Sequence, residues 1–274
     1  MQNLRTGTFM PFVYPGSKEY AVKQILKMVP EHTYYAEPFC GSATVFFAKS
    51  KTQASWLNDI NAELINTYKV IRDYPLKFAA AIRNLEVSEL IYNRFLNSKP
   101  KSDFERAVKW MYLALNSSTD INLKHRFLRF DYASGANMHK AARSISNISH
   151  KLQGVKLTSV KFDDVIKAVP RGTFLFIDPP YSLGNSKPKA DMYLNKFSRQ
   201  DHTKLASALK RRSADIKFML FYKVDSEAEA IFSSIPNTNK KIIRPRVKYR
   251  VVENGLIVPK QKYYAEMVFT NYRV

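Results

Sequence analysis

The sequence predicts an α/β protein built on a doubly wound, mostly parallel sheet, with an antiparallel C-terminal edge and a mostly helical insertion. Three observations predict it. Short apolar runs alternate with amphipathic helical stretches, as in successive βαβ units. One of these runs, Thr173-Phe174-Leu175-Phe176-Ile177, is apolar almost throughout, which suits a strand covered on both faces. Two runs lead straight into carboxylates, at Asn58-Asp59 and at Asp178-Pro179-Pro180-Tyr181. That places acids at the carboxyl ends of strands, where open α/β sheets bind their ligands.

The elements follow in chain order. Phe12-Val13-Tyr14-Pro15-Gly16-Ser17-Lys18 is a loop leading into an amphipathic segment from Ala21 to Met28. Lys18 near a helix start opposes the helix dipole and so points to an anionic ligand; the plainer reading is a solvated lysine. Tyr34-Tyr35-Ala36 begins a short strand, Glu37-Pro38-Phe39-Cys40-Gly41-Ser42-Ala43 turns, and Thr44 to Ala48 starts a helix. A second strand from Ala54 to Leu57 reaches Asn58-Asp59, before a helix from Asn61 to about Arg72. Asp59 fits two roles. It follows the glycine turn by about 20 positions, the interval of a ribose-binding acid, and it equally suits a helix N-cap. The turn keeps one glycine of the three in a dinucleotide fingerprint, so it is weak evidence alone.

Residues from about 75 to 150 read as helices over Leu76 to Leu85, Ser88 to Leu96, Phe104 to Leu115 and Met138 to Leu152. Between the last two lies a basic cluster, Lys124, His125, Arg126 and Arg129, in a loop or hairpin. Such a cluster suits phosphates or guanine edges, or simply a solvated face. Arg244, Arg246, Lys248 and Arg250 then recur every second residue, the spacing of one face of an extended strand and a plausible phosphate track. Pro245 limits this stretch to an edge or a loop. Glu253-Asn254-Gly255 reads as a turn, and Tyr263 to Phe269 as the returning strand of the hairpin.

Charge narrows the partners. Lys and Arg total 44 against 23 Asp and Glu in 274 residues, a net +21 that points to a polyanion, most simply nucleic acid. A solubility role is the alternative. The single Cys40 excludes an internal disulfide framework, and no Cys/His spacing suits a structural metal, so no metal is expected. No apolar run approaches the ~20 residues of a membrane span and the N-terminus lacks an apolar signal core; the expectation is a soluble, cytoplasmic protein without a membrane partner.

The tetrapeptide Asp178-Pro179-Pro180-Tyr181 carries the chemistry. An exocyclic amino group on adenine or cytosine is a poor nucleophile because its lone pair is delocalised into the ring. Hydrogen bonds from that amino group to the Asp178 carboxylate and the Pro179 carbonyl would free the lone pair and stabilise charge as it develops. Tyr181 would stack on the base and hold it for in-line attack. Two prolines stiffen the backbone and aim the carbonyl in advance. The bland alternative is a Pro-Pro turn that merely ends a strand.

These segments together resemble the Dam-type DNA adenine methyltransferases. The resemblance rests on Phe12 to Lys18, on Ala36-Glu37-Pro38-Phe39-Cys40-Gly41, on Leu57-Asn58-Asp59-Ile60-Asn61 with Leu64-Ile65 and Tyr68, and on Phe176 to Tyr181, four motifs in family order. It implies a Rossmann-like methyltransferase sheet formed by residues 1–74 and 152–274, with a target-recognition domain inserted at 75–151. It also implies S-adenosylmethionine as cofactor, double-stranded DNA as partner, and a bacterial or phage-infected cell as setting. Reaching adenine in a duplex requires turning the base out of the stack, at a cost of a few kcal/mol that backbone contacts must offset. By resemblance, Tyr14 and Lys18 contact the cofactor near its methionine end. Glu37, Phe39 and Gly41 line its pocket and Asp59 takes its ribose hydroxyls. Phe162 flanks its adenine, Asp164 binds the adenine amino group, and Tyr193 closes over the site. Asp178, Pro179, Pro180 and Tyr181 are catalytic, with Asp178 also facing the cofactor. Lys124, Arg126, Arg129, Arg244, Arg246, Lys248 and Arg250 contact DNA. For Phe162 and Tyr193 a core role is the plain alternative.

The departures from the family pattern matter. Members that recognise GATC carry an aromatic-Asn-Gly segment and an arginine after the long recognition helix; Asn116 to Leu123 replaces it here, so GATC specificity is not transferred. Phe221-Tyr222-Lys223 stands where Ser-Asn is frequent, and Ser42-Ala43 replaces a second glycine in the cofactor turn. A cytosine or RNA amino-methyltransferase and a non-catalytic DNA-binding protein remain the competing readings.

Overall fold

Side chains along a strand alternate between the two faces of a sheet, and the strand at Thr173–Ile177 shows it. Phe174 and Phe176 enter one buried cluster, Leu175 and Ile177 the other. A computed structural model describes residues 17–117, 134–181, 197–253 and 256–274, with backbone only for 134–137, 247–253 and 256–259. In chain order it runs α1 (Val22–Met28), β1 (Tyr34–Glu37), α2 (Thr44–Ala48), β2 (Ala54–Asn58), α3 (Ala62–Asp73), α4 (Pro75–Arg83), α5 (Glu89–Asn97), α6 (Asp103–Asn116) and α7 (Ser134–Leu152). The second half is β3 (Lys156–Thr158), α8 (Phe162–Ala168), β4 (Thr173–Ile177), α9 (Arg199–Arg212), β5 (Lys217–Lys223), α10 (Ser226–Phe232), β6 (Asn239–Ile243), β7 (Arg246–Glu253), β8 (Leu256–Tyr263) and β9 (Glu266–Thr270).

Seven strands form one sheet in the order β3-β2-β1-β4-β5-β9-β6. The first five are mutually parallel, and β9 is antiparallel to both of its neighbours. The chain winds outward from β1 to β3 and returns to place β4 on the other side of β1. The order therefore reverses between β1 and β4, which opens a crevice at their carboxyl ends. This is the doubly wound, mostly parallel sheet with an antiparallel edge that the sequence predicts.

One face carries Tyr35, Leu57, Phe174, Phe176 and Phe221 against the helices from α1 to α7. The other carries Ala36, Leu175, Ile177, Leu220 and Phe269 against α8, α9 and α10. Helices α4 to α7 share the first core, because Phe78, Ile82, Trp110, Met111, Ile145 and Leu152 are buried in the same cluster as Leu57 and Tyr68. Their ends are well marked. Ser88 caps α5 through the Ile91 amide, and Ser102 with Glu105 forms a capping box on α6. Lys151 on α7 reaches across to the Phe47 and Lys49 carbonyls, satisfying acceptors at the end of α2.

The C-terminal hairpin differs from its sequence reading. The run Tyr263 to Phe269 is not one returning strand. β8 ends at Tyr263 and pairs with β7, whereas β9 begins at Glu266 and lies in the main sheet between β5 and β6. The physical reason is burial. Met267, Val268 and Phe269 are all buried, as a strand covered on both faces requires. β7 and β8 thus form a separate two-stranded ribbon. Arg246, Lys248 and Arg250 lie within β7, but Arg244 precedes it, in the link with Pro245.

Candidate active site

Three strands deliver acids to the crevice. β1 ends at Glu37, β2 leads into Asp59, and β4 leads into Asp178. Asp178 is the centre of the polar network. Its Oδ1 accepts from the Tyr181 hydroxyl at 2.5 Å and pairs with Lys18 Nζ at 2.8 Å, and Lys18 also donates to the Tyr181 oxygen at 2.8 Å. The Lys18 ammonium stands 5.1 Å from the Tyr181 ring centre and is 3% exposed. Lys18 is thus buried against the Asp178 carboxylate and is not a solvated lysine. Burial pushes the Tyr181 hydroxyl well above its ordinary range, and the Asp178 and Glu266 charges push the same way. Tyr181 consequently stays a hydrogen-bond donor. Among the described residues the Asp178 contacts with Tyr181 and Lys18 both fall on Oδ1 and none is recorded on Oδ2.

The Gly41 turn is built around Asp59. Gly41 adopts φ 45 and Ala43 φ 49, both left-handed. The Asp59 carboxylate accepts the Gly41 amide on Oδ2 and the Asn61 amide on Oδ1, each at 2.9 Å. Burial pushes this carboxyl up, against the pull of those two amides. The N-cap of α3 is Asn61, whose side chain accepts from Glu63 and Leu64, so the N-cap reading of Asp59 does not hold. Glu37 is buried beneath the turn, where its Oε1 accepts from the Tyr35 hydroxyl at 2.6 Å and the Phe46 amide at 3.0 Å. It thereby ties β1 to α2.

An aromatic wall connects the two halves. Phe39, Phe162 and Phe197 form a triangle with ring centres 5.3 to 5.5 Å apart. Phe197 meets His202 at 4.6 Å, His202 meets Tyr222, and Tyr222 lies 4.8 Å from Tyr181. Burial lowers His202 to about 4, so the ring is neutral and its Nε2 shares a 3.0 Å hydrogen bond with the Tyr222 hydroxyl. Phe162 opens α8 half-buried, and Asp164 is exposed in the first turn of the same helix. Tyr14 and Tyr193 lie outside the described residues.

Sequence reasoning missed several members of the site. Glu266 opens β9, accepts from the Tyr20 hydroxyl, and stands 3.8 Å from Lys18. Asn58 bonds the Pro38 and Val160 carbonyls through Nδ2 and the Thr158 hydroxyl and Val160 amide through Oδ1, joining the ends of β1, β2 and β3. A polar residue after an apolar run was visible, but its three partner residues, Pro38, Thr158 and Val160, lie far off in sequence.

The nucleic-acid candidates divide. Arg244 and Arg246 are exposed beside and within the ribbon, and Lys248 and Arg250 follow on β7. Lys124, Arg126 and Arg129 lie outside the described residues. Between α5 and α6 opens a cavity of about 680 Å³, with Leu85, Ile91 and Phe95 in its lining and Arg94, Lys99 and Lys101 among its charges. Among the described residues, no three His, Cys, Asp or Glu side chains are grouped to hold a metal, and no helix is long and apolar enough to cross a membrane.

Comparison with known proteins agrees with this geometry. The family profile described as D12 class N6 adenine-specific DNA methyltransferase matches residues 14–251. Type II methyltransferase M1.LlaDCHI of Lactococcus lactis subsp. cremoris is 26% identical over 280 residues, 96% of this chain and 95% of that protein. The DNA N-6-adenine-methyltransferase of Escherichia phage P1 is 27% identical over 72% of this chain and 27% of its own length. DNA adenine methylase of Escherichia coli K12 is 23% identical over 70% of this chain and 72% of its own.

Proposed function

Because the chain belongs to the D12 class N6 adenine-specific DNA methyltransferase family, we propose that it transfers a methyl group from S-adenosylmethionine to the 6-amino group of an adenine turned out of duplex DNA. The observation that carries this reading is Asp178 at the carboxyl end of β4, with Oδ1 engaged by Tyr181 and Lys18. A carboxylate so held is oriented before substrate arrives. Oδ2 and the Pro179 carbonyl accept the two amino hydrogens of the base, and the nitrogen lone pair is freed to attack. The amino nitrogen would take the methyl group that the bound cofactor supplies, and its surplus proton would leave through Asp178 to water. Tyr181 bounds the base on one side, and the Tyr222 ring behind it restricts its movement.

The residues present fit the cofactor. The crevice lies at the switch point of the sheet, a left-handed turn brings backbone close to it, and half-buried Phe39 and Phe162 offer planar surface beside it. Bound there, S-adenosylmethionine would supply an activated methyl group on a sulfonium. Lys18 and Asp178 would face its methionine end, with Tyr14. Phe39 and Gly41 would line its pocket over Glu37, while Asp59 would take ribose hydroxyls with the lone pairs that its two amide donors leave. Phe162 and Asp164 would meet its adenine and Tyr193 would close the site.

Residues 1–74 and 152–274 form the catalytic part in this reading, and 75–151 read the target. The cationic rim at Arg94, Lys99 and Lys101 supports contact with a polyanion, as does the net +21. Lys124, Arg126 and Arg129 with Arg244, Arg246, Lys248 and Arg250 supply further backbone contacts. The test is transfer of a labelled methyl group to unmethylated duplex DNA, followed by nucleoside analysis. Label in N6-methyladenine is expected from the parent chain, with a loss of about a thousandfold in Asp178→Ala and DNA affinity nearly unchanged. Undiminished transfer by the variant would sink the mechanism.

A further inference from the structure

We propose that Glu266, on the antiparallel strand β9, is a positioning residue of this catalytic centre and acts through Lys18; the inference rests on the methyltransferase reading above. The geometry is a chain of three charges. Lys18 Nζ lies 2.8 Å from Asp178 Oδ1 and 3.8 Å from Glu266 Oε2. All three are shielded, with side chains 3%, 16% and 8% exposed. Glu266 Oε1 accepts from the Tyr20 hydroxyl, while Oε2 accepts no hydrogen bond among the described residues and lies 3.8 Å from the ammonium. A buried carboxylate oxygen without a donor is costly, and Lys18 is the cation that makes this one tolerable.

The fold explains how the carboxylate arrives there. Because β9 runs against β5, its first residue lies beside Lys223, the last residue of β5, at the crevice edge of the sheet. A parallel strand in that slot would bring its last residue to the same edge.

The electrostatic consequence concerns Asp178. Without Glu266, Lys18 and Asp178 form a neutral pair, and the ammonium's attraction falls chiefly on Asp178. Burial pushes the Glu266 carboxyl up while Lys18 pulls it down; with Glu266 ionised and sharing the ammonium, the three groups sum to one net negative charge, and Asp178 remains a stronger acceptor. Positive charge grows on the amino nitrogen beside Asp178 as the methyl group arrives. A net negative group stabilises that growth more than a neutral pair does.

Glu266→Gln tests this, since the amide keeps an oxygen for Tyr20 and nearly the same shape while removing the charge. Methyl transfer to duplex DNA by the variant should show kcat lowered about tenfold to a hundredfold. KM for DNA, and the cofactor dissociation constant measured by calorimetry, should stay within about twofold of the parent. Lys18→Met should lower kcat as well, and Lys18→Met with Glu266→Gln should be no worse than Lys18→Met alone, because Glu266 acts through that lysine. A merely structural role gives losses that multiply, and that result overturns the proposal. So does an unchanged kcat, or a change confined to cofactor binding. If the parent chain itself leaves no label on adenine, the methyltransferase reading fails before Glu266 is tested.

Discussion

Glu37 offers a sharp test of the site's electrostatics. It closes β1 and is 1% exposed. Burial pushes its carboxyl up to about 8 from an ordinary 4.5, over the opposing pull of the Tyr35 hydroxyl, the Phe46 amide and the Lys49 ammonium. The folded chain therefore holds a proton that the unfolded chain releases above pH 4.5. The stability this contributes is fully present below 4.5 and is lost as pH rises through about 8. At about 1.4 kcal/mol for each tenfold change in proton affinity, the interval amounts to roughly 4–5 kcal/mol, a large part of a typical domain's stability. Glu37→Gln cannot ionise, yet it keeps an oxygen for Tyr35 and Phe46. Urea unfolding at a series of pH values and fixed ionic strength should give similar free energies for parent and variant near pH 5. The variant should then gain several kcal/mol on the parent towards pH 8. Groups common to both chains cancel in the difference; Lys49, lowered to about 8 by burial, limits the comparison to that upper bound. Curves that stay parallel from pH 5 to 8 would refute the reasoning.

Two further outcomes are expected. Replacing Arg244 and Arg246 together by Ala should lower the slope of log affinity for DNA against log salt by about two, since each phosphate contact contributes roughly 0.9; an unchanged slope removes both from the interface. Ala43→Gly should raise the free energy of unfolding by about 1 kcal/mol, because Ala43 holds a left-handed φ of 49 that glycine adopts without a steric penalty. A destabilised variant would show that the stiffness of alanine in the unfolded chain outweighs that relief.

Much of the sheet was legible because its strands are buried on one or both faces. The run at 173–177 had no competing helical period, and Asp178 at its end followed from that alone. Helix starts were legible where caps are local, as at Ser88 and Ser102. The rest depends on distance along the chain. Tyr20 meets Glu266 across 246 residues and Lys18 meets Tyr181 across 163, so composition at either end says nothing of the pairing. The hairpin reading fails because β8 and β9 are separated by two residues and both satisfy an extended pattern; the pairing of Met267, Val268 and Phe269 with both β5 and β6, and their burial, distinguish them. Asp59 had two local readings, and the choice fell on Asn61, whose side chain reaches both amides of the first turn of α3.

The ribbon's attachment makes its two ends unequal as places for inherited change. At the stem, the Tyr264 amide donates to the Pro245 carbonyl at 3.1 Å, the Tyr264 ring lies 5.6 Å from Tyr20, and Glu266 follows two residues on. A single residue inserted between Tyr263 and Glu266 would either be looped out or turn every β9 side chain to the wrong face. At the far end, where Glu253 pairs with Leu256, one residue added to each strand leaves the register of the stem intact. Changes in the length of the ribbon can accumulate at that end without moving Glu266, which opens β9.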